Sequence, residues 1–335
     1  MPWVGVRVGC RCWSVGDVAW GLGARPLGRV GAGIVVGVSD PTSSAVSSPD
    51  TGPVLTRRAT RSGIPPLRQY LAESWRYRTF AVHWSRADLK ARNFDTLFGR
   101  VWNVLNPLLF GLIYFVFVGI IAGGGLDQVE RLGLIVGNLY VWLFFSATIA
   151  TGVSSIQSGA GGVLAQSAIP RVVLPFASTI TAASLFVRSL IAYVPIHFLT
   201  GRGVHVEMVW LPLAFVVTAM FGFGLALLLA VMNVYIRDVS RLLPHLLRLW
   251  LYLSPVIWEF TRLTSQDSGL VTTLGRLNPM YHAMVVWTLA FGGGIAGSGE
   301  SIPASMLVFS LWAVGALLAG FLLFTSREDD FAIRN

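Results

Sequence analysis

The residues of this chain that could do catalytic chemistry are few, and they form no recognised reactive set. Its 335 residues include a single lysine, Lys90, which stands between Leu89 and Ala91. A phosphate-binding Walker loop needs a lysine directly after glycine and before serine or threonine, so this chain does not hydrolyse ATP by that mechanism. The metallopeptidase and esterase motifs His-Glu-x-x-His and Gly-x-Ser-x-Gly are also absent. Two cysteines, Cys10 and Cys12, are too few for a metal site or a disulfide framework. We predict no catalytic residue, metal or cofactor.

Aromatic and amide side chains within two apolar runs form another candidate site. Aromatic rings can stack on the C–H faces of a bound ligand, and amide groups can pair with its hydroxyl groups. The two runs supply Trp102, Asn106, Tyr114 and Phe117, and then Trp250 and Tyr252. An unpaired asparagine in hydrocarbon is costly, so Asn106 should face a cavity or another helix. The alternative is a belt of aromatics at the membrane interfaces, with phenylalanine against lipid.

The composition indicates that these side chains belong to a polytopic membrane protein. Hydrophobic residues make up 54% of the chain, and charged residues make up 12%, about half of the usual quarter. So few charges cannot cover a water-soluble surface, and a nucleic-acid-binding domain is excluded despite the net charge of +9. A span needs about 20 apolar residues. We predict an all-α fold with six spans, at 102–122, 134–156, 173–199, 207–233, 244–259 and 303–325.

The distribution of basic residues predicts the orientation of these spans. With the amino terminus in the cytoplasm, sixteen arginine and lysine residues of the loops and tail lie inside and four lie outside. Cytoplasmic loops carry the excess of basic residues, so we predict a multi-pass protein of the plasma (inner) membrane with both termini cytoplasmic. The centres of the spans hold no carboxylate, which argues against ion-coupled transport. Arg188, in the third span, is the strongest candidate for a buried charge.

The first 69 residues are predicted to form a flexible extension, and residues 70–335 to form the membrane domain. Residues 1–63 lack sustained periodicity, and residues 39–63 are rich in Ser, Thr, Pro and Gly, which is typical of disorder. No basic start, apolar run and cleavage site follow one another as in a signal peptide.

Residues 80–101 predict an amphipathic helix that lies in the membrane interface just before the first span. The apolar positions recur at steps of four and three, at Phe80, Trp84, Ala87, Ala91, Phe94 and Phe98. Lys90 and Arg92 lie on the remaining surface, where they would contact lipid phosphates, and Asp88 can pair with Arg92. Two roles stay open for this helix: an ordinary orientation signal, or a lever before a moving span.

Five short sequence motifs follow one another along the chain. Within residues 86–108, the positions that carry the first pattern are Asp88, Leu89, Lys90, Arg92, Leu97, Gly99, Trp102 and Pro107. The other motifs occupy 170–175, 233–238, 253–257 and 277–281. Together they resemble the ABC-2 type permeases that export polysaccharides such as O-antigen and teichoic acid, over about residues 70–325. Asn93 stands where that family usually has an aromatic residue. The Arg-rich, Lys-poor chain also looks like an actinobacterial member, whose cargo would be a lipid-linked galactan.

The resemblance implies a homodimeric permease driven by two copies of a separate ABC ATPase subunit, with a lipid-linked polysaccharide as substrate. It implies ATPase-coupling contacts at Arg171, Arg237 and Asp238, although Arg237 and Asp238 could also simply anchor the membrane edge. It implies that spans one and five line the sugar tunnel.

The resemblance also implies re-entrant external gate helices between spans five and six. Asn278 and Pro279 have the residue types of a helix cap and a first helical position. The apolar stretch of residues 280–291, which includes Tyr281, would dip into the membrane, and Gly292–Gly294 would end it.

The sequence is also compatible with three other functions. One is an ABC-2 type permease for drugs or lipids. Another is a membrane-embedded glycosyltransferase, which would need loop carboxylates for acid–base work, whereas the predicted external loops hold only scattered ones. The third is a structural scaffold, which would not need the ordered motifs.

Overall fold

In the computed structural model, the described residues are 67–92, 128–160, 169–256, 275–293 and 300–328, with single positions between 101 and 116 and at 273 and 331. Within these residues the secondary structure is helical, as the all-α prediction requires. The helices are α1 Leu67–Arg76, α2 Arg78–Arg92, α3 Gln128–Ala160, α4 Val173–Leu199, α5 Leu211–Tyr235, α6 Val239–Leu253, α7 Pro279–Ala290 and α8 Ile302–Arg327. A short 3₁₀ helix, Val206–Trp210, leads into α5.

Within the described part of the chain, four helices are long and apolar enough to cross a membrane. The spanning stretches are Gly133–Ser158, Val173–Leu199, Val206–Tyr235 and Ile302–Arg327. They contain the predicted second, third, fourth and sixth spans, and the third coincides with α4 at both ends. Most of the predicted first span lies outside the described residues, as do residues 1–66 of the predicted 1–69 extension; residues 67–69 begin α1. The six-span topology therefore stays a prediction.

The predicted fifth span, 244–259, differs from the helix that the structure contains. Helix α6 begins five residues earlier, at Val239, and includes Pro244. It ends at Leu253, because Ser254 adopts the extended conformation that a residue before proline prefers, here Pro255. Its fifteen residues span only about 22 Å at 1.5 Å per residue. Helix α6 is therefore shorter than the hydrocarbon layer of about 30 Å.

The closest helix packing in the described bundle joins α5 to α8. A methyl group built on Gly320 would overlap the carbonyl oxygen of Gly224, and one built on Gly224 would lie 2.5 Å from the backbone nitrogen of Leu317. Small residues allow such backbone contact between membrane helices. The two glycines thus fix where α5 and α8 cross.

Helix α2 contacts the bundle through a face that the sequence analysis did not identify. Its buried residues are Ala81, Ser85 and Leu89, and the Ser85 hydroxyl accepts a hydrogen bond from Thr181 of α4 at 3.0 Å. Trp84, on the predicted lipid face, is 38% exposed, and Lys90 is also exposed. Helix α2 therefore has a narrow protein-facing stripe beside an exposed aromatic one. The predicted pair of Asp88 and Arg92 is confirmed, at 3.1 Å.

Candidate functional site

A short loop between α5 and α6 carries two of the predicted coupling residues, Arg237 and Asp238. Both side chains are exposed, and Asp238 lies 3.5 Å from the exposed Arg241. Helix α5 ends here because Ile236 adopts an extended backbone conformation. The loop therefore presents one positive and one negative side chain at the surface of the bundle.

The buried side chain of Asn233 holds this loop in place. Its Oδ1 accepts from the backbone N–H of Ser240 at 3.0 Å, and its Nδ2 donates to the carbonyl oxygen of Val153 at 3.3 Å. The Gln157 amide donates to the backbone oxygen of Asn233 at 3.3 Å. The loop is thereby fastened to α3. Asn233 belongs to the 233–238 motif, but the sequence analysis assigned it no role. An amide side chain near the end of an apolar run is costly to bury without partners, and that cost is the signal that could have identified it.

A second loop, residues 169–172, adjoins the same end of the bundle. The backbone N–H of Arg171 donates to Glu328 Oε1 at 2.8 Å, and Glu328 is only 5% exposed. Val172, Val234 and Phe324 belong to one buried cluster, so both predicted coupling loops and the end of α8 meet there. The sequence analysis assigned no role to Glu328, because an acidic residue just after a membrane span usually lies in solvent.

The predicted tunnel residues of α6 lie on different sides of that helix. Trp250 is partly buried, and its ring meets Trp142, Phe145 and Phe221 edge-on, at centroid distances of 5.3–6.3 Å. Tyr252 is 54% exposed, beside the exposed Leu249 and Leu253. Trp102, from the first predicted span, is 38% exposed. Asn106, Tyr114 and Phe117 lie outside the described residues.

An apolar groove of about 620 Å³ lies beside Trp250, between α5 and α8. Its wall includes Phe221, Pro279, Trp312 and Gly315. Glycine and alanine at this part of α8 leave the space open, since a methyl group on Gly315 would meet nothing within 4 Å. The groove offers an apolar ligand much contact and few polar partners.

The predicted cap at the start of α7 is confirmed. Pro279 is the first helical residue, and Asn278 Oδ1 accepts from the backbone N–H of Met280 at 3.0 Å. Nearly all of the helix is buried. Tyr281 donates to Glu300 Oε1 at 3.1 Å, and burial, followed by the charge of Glu300, raises the pKa of its phenol above the ordinary value. Tyr281 therefore stays protonated and remains a donor.

The opposite end of α7 is also held by polar contacts. Arg202 Nη1 donates to the carbonyl oxygens of Gly292 at 2.9 Å and Phe291 at 3.4 Å, where a cation complements the helix dipole. Gly292, with φ of 76°, ends the helix as the glycine-rich stretch predicted, and a methyl group added to it would overlap the ring of His205. Helix α7 is thus fixed at both ends, although its re-entrant placement in a membrane stays a prediction.

The placement of Arg188 within the membrane stays a prediction. Arg188 lies on the exposed face of α4 with Val187 and Ile191, and among the described residues it forms no ion pair. An apolar span gives no sequence signal for which face meets protein, so the burial of a single charge within it could not be predicted.

Comparison with known proteins places the chain in a family. Residues 82–291 match the ABC-2 type transporter family, and the chain belongs to that family. It is 28% identical to an O-antigen export system permease protein, RfbA, of Myxococcus xanthus, over 78% of this chain and 96% of that protein. An RfbA protein of Klebsiella pneumoniae is 23% identical, over 62% of this chain and 78% of that protein. The described bundle is therefore part of a membrane transporter subunit.

Proposed function

We propose that this chain is the permease subunit of an ATP-driven exporter of a lipid-linked cell-envelope polysaccharide. The observation that carries the proposal is the family match together with relatives named for O-antigen export. Two copies of the chain would pair with two ATPase subunits, with both termini in the cytoplasm of a plasma-membrane transporter. Galactan is the proposed cargo, because the Arg-rich, Lys-poor chain resembles actinobacterial members of the family.

In this proposal, different parts of the bundle contact the ATPase, border the sugar path and form the external gate. The loop of Arg237 and Asp238, with the 169–172 loop, would contact the ATPase through charge-assisted hydrogen bonds. The exposed face of α6, with Tyr252, would border the sugar path. Helix α7, fixed at both ends, would form the external gate.

Alanine at Asp238 or Arg237 is expected to reduce permease-dependent stimulation of the ATPase by about tenfold, the effect of losing one charge-assisted hydrogen bond. The matched control is Arg241→Ala, which removes only an exposed ion pair worth about 1 kcal/mol or less. The measurement is the ATPase rate of the complex in proteoliposomes, compared with that of the ATPase subunit alone. Full stimulation in both the Asp238 and the Arg237 variants would count against this loop as the contact.

Tyr252→Ala is expected to slow polysaccharide export about fivefold without loss of complex assembly, because one stacking surface is lost. Tyr252→Phe keeps the ring and should retain most of the flux. Export would be followed by the appearance of glycan in the lumen of inverted vesicles, and assembly by gel filtration. An unchanged flux in Tyr252→Ala would leave the interface-belt interpretation in place.

The apolar groove beside Trp250 and Trp312 favours a second candidate, efflux of a lipid or a hydrophobic drug. The two candidate functions predict different results when a bare lipid competes with the glycolipid for transport. A lipid carrier without its glycan should compete poorly with the glycolipid if sugar contacts decide specificity. Equal competition by the bare lipid would favour the second candidate.

A further inference from the structure

The side chain of Asn278 joins the end of one helix to the beginning of another. Besides capping α7 through the Met280 N–H, its Oδ1 accepts from Trp250 Nε1 at 2.9 Å. Its Nδ2 donates to the Ser254 hydroxyl at 3.0 Å and to the carbonyl oxygen of Leu253 at 3.4 Å. The last carbonyls of a helix have no partner within it, so Asn278 supplies a donor to the end of α6 and an acceptor to the start of α7.

The two helices that meet at Asn278 are packed very differently. Helix α7 is buried, and it is bonded to α3 through Asn138 and Thr288 at 2.8 Å and to α5 through Trp287 and Thr218 at 3.2 Å. Helix α6 buries only one stripe, formed by Leu243, Leu247 and Leu251. The rest of its surface is exposed and mixed, with apolar residues at Leu242, Leu246, Leu249 and Leu253 and basic residues at Arg241, His245 and Arg248. A helix held along one stripe can shift at lower cost than one packed on every side.

The other end of α6 begins at the loop of Arg237 and Asp238. The helix therefore runs from the proposed ATPase contact to Asn278, a distance of about 22 Å. A displacement that starts at the loop would reach α7 through the hydrogen bonds of the Asn278 amide. We propose that Asn278 is a positioning residue that transmits movement of α6 to α7. The proposal rests on the proposed function, in which the ATPase acts at the loop and α7 forms the gate.

The residue type suits this task for a chemical reason. An asparagine amide has a donor group and an acceptor group side by side, so it can serve a helix end and a helix start at once. Serine caps helices about as well as asparagine but is shorter and cannot span the gap to both Trp250 and Leu253. Asn278→Ser therefore keeps the cap of α7 and removes the link to α6, whereas Asn278→Ala removes both.

The test uses the complete complex of this chain with its ATPase subunit in proteoliposomes. Two quantities are measured: polysaccharide exported per ATP hydrolysed, and ATP-dependent change in hydrogen–deuterium exchange of the α7 peptide. We expect Asn278→Ser to keep the basal ATPase rate of the parent, to export about tenfold less per ATP, and to lose the exchange response of α7; its thermal stability should fall modestly, because Trp250 Nε1 loses its acceptor. Asn278→Ala should show the same uncoupling with lower thermal stability.

A second substitution probes the link from the other side. Trp250→Phe keeps an aromatic ring in the cluster with Trp142 and Phe221 but removes the indole donor and part of the ring surface, so it should uncouple a few-fold. Combined with Asn278→Ser it should add nothing further, because both changes break one connection. Independent, additive effects would overturn the proposal, as would parental coupling in Asn278→Ser or an α7 exchange pattern that ATP does not alter in the parent. If the parent exports no polysaccharide but α7 responds to ATP through Asn278, the coupling stands and the proposed cargo is wrong.

Discussion

Gly320→Ala is expected to destabilise the protein by about 2 kcal/mol, since overpacking a tight contact costs about 1–3 kcal/mol. The added methyl group would meet the backbone of Gly224 across the α5–α8 crossing, and a backbone cannot rotate away as a flexible side chain can. The two helices must then separate, and much of the buried cluster near Leu227 separates with them.

The matched control for this prediction lies on the same helix. Gly315→Ala adds the same methyl group where nothing lies within 4 Å, so only the higher helix propensity of alanine remains, a gain of up to about 1 kcal/mol. Thermal unfolding of both variants in one detergent gives the comparison. A Gly320→Ala protein that melts at or above the parental temperature would contradict the packing argument.

Asn233→Ala is expected to abolish most permease-dependent ATPase stimulation and to lower stability by about 1–3 kcal/mol, because it leaves the backbone N–H of Ser240 without its acceptor. Without that acceptor, the loop carrying Arg237 and Asp238 is no longer fastened to α3. Stability is measured by thermal unfolding, and coupling by the ATPase rate of the reconstituted complex.

Ser240→Ala serves as the control for Asn233→Ala. It removes the exposed hydroxyl bond to the carbonyl oxygen of Arg237, at 3.0 Å, but keeps the backbone N–H that Asn233 binds. Near-parental coupling is expected. If Ser240→Ala were as defective as Asn233→Ala, the hydroxyl rather than the asparagine would hold the loop.

Features encoded by local sequence were predicted well. The third span matches α4 at both ends because a long, mostly apolar run ends in the polar stretch after Leu199. The cap at Asn278 and the pair of Asp88 and Arg92 follow from spacing alone, and both are present. Such features depend on neighbours within about four residues, which the sequence lists directly.

Features that depend on how helices face one another were predicted poorly. The stripe of Ala81, Ser85 and Leu89 carries little hydrophobic signal, so the aromatic side of α2 dominated the pattern. The contact of Trp250 with Asn278 joins residues 28 positions apart, and the bond from Arg171 to Glu328 joins residues 157 apart. No short-range pattern contains that information. The same limit applies to Arg188, because the mostly apolar sequence of α4 does not show which face meets protein.

The exposed position of Lys90 on α2 has a practical consequence. Because it is the only lysine in the chain, an amine-reactive fluorophore would label a single side chain, and the α-amino group is the remaining amine. The dye would sit on the same helix as the exposed ring of Trp84. Its emission maximum would then report the polarity around that helix while the transporter hydrolyses ATP, with no engineered attachment site.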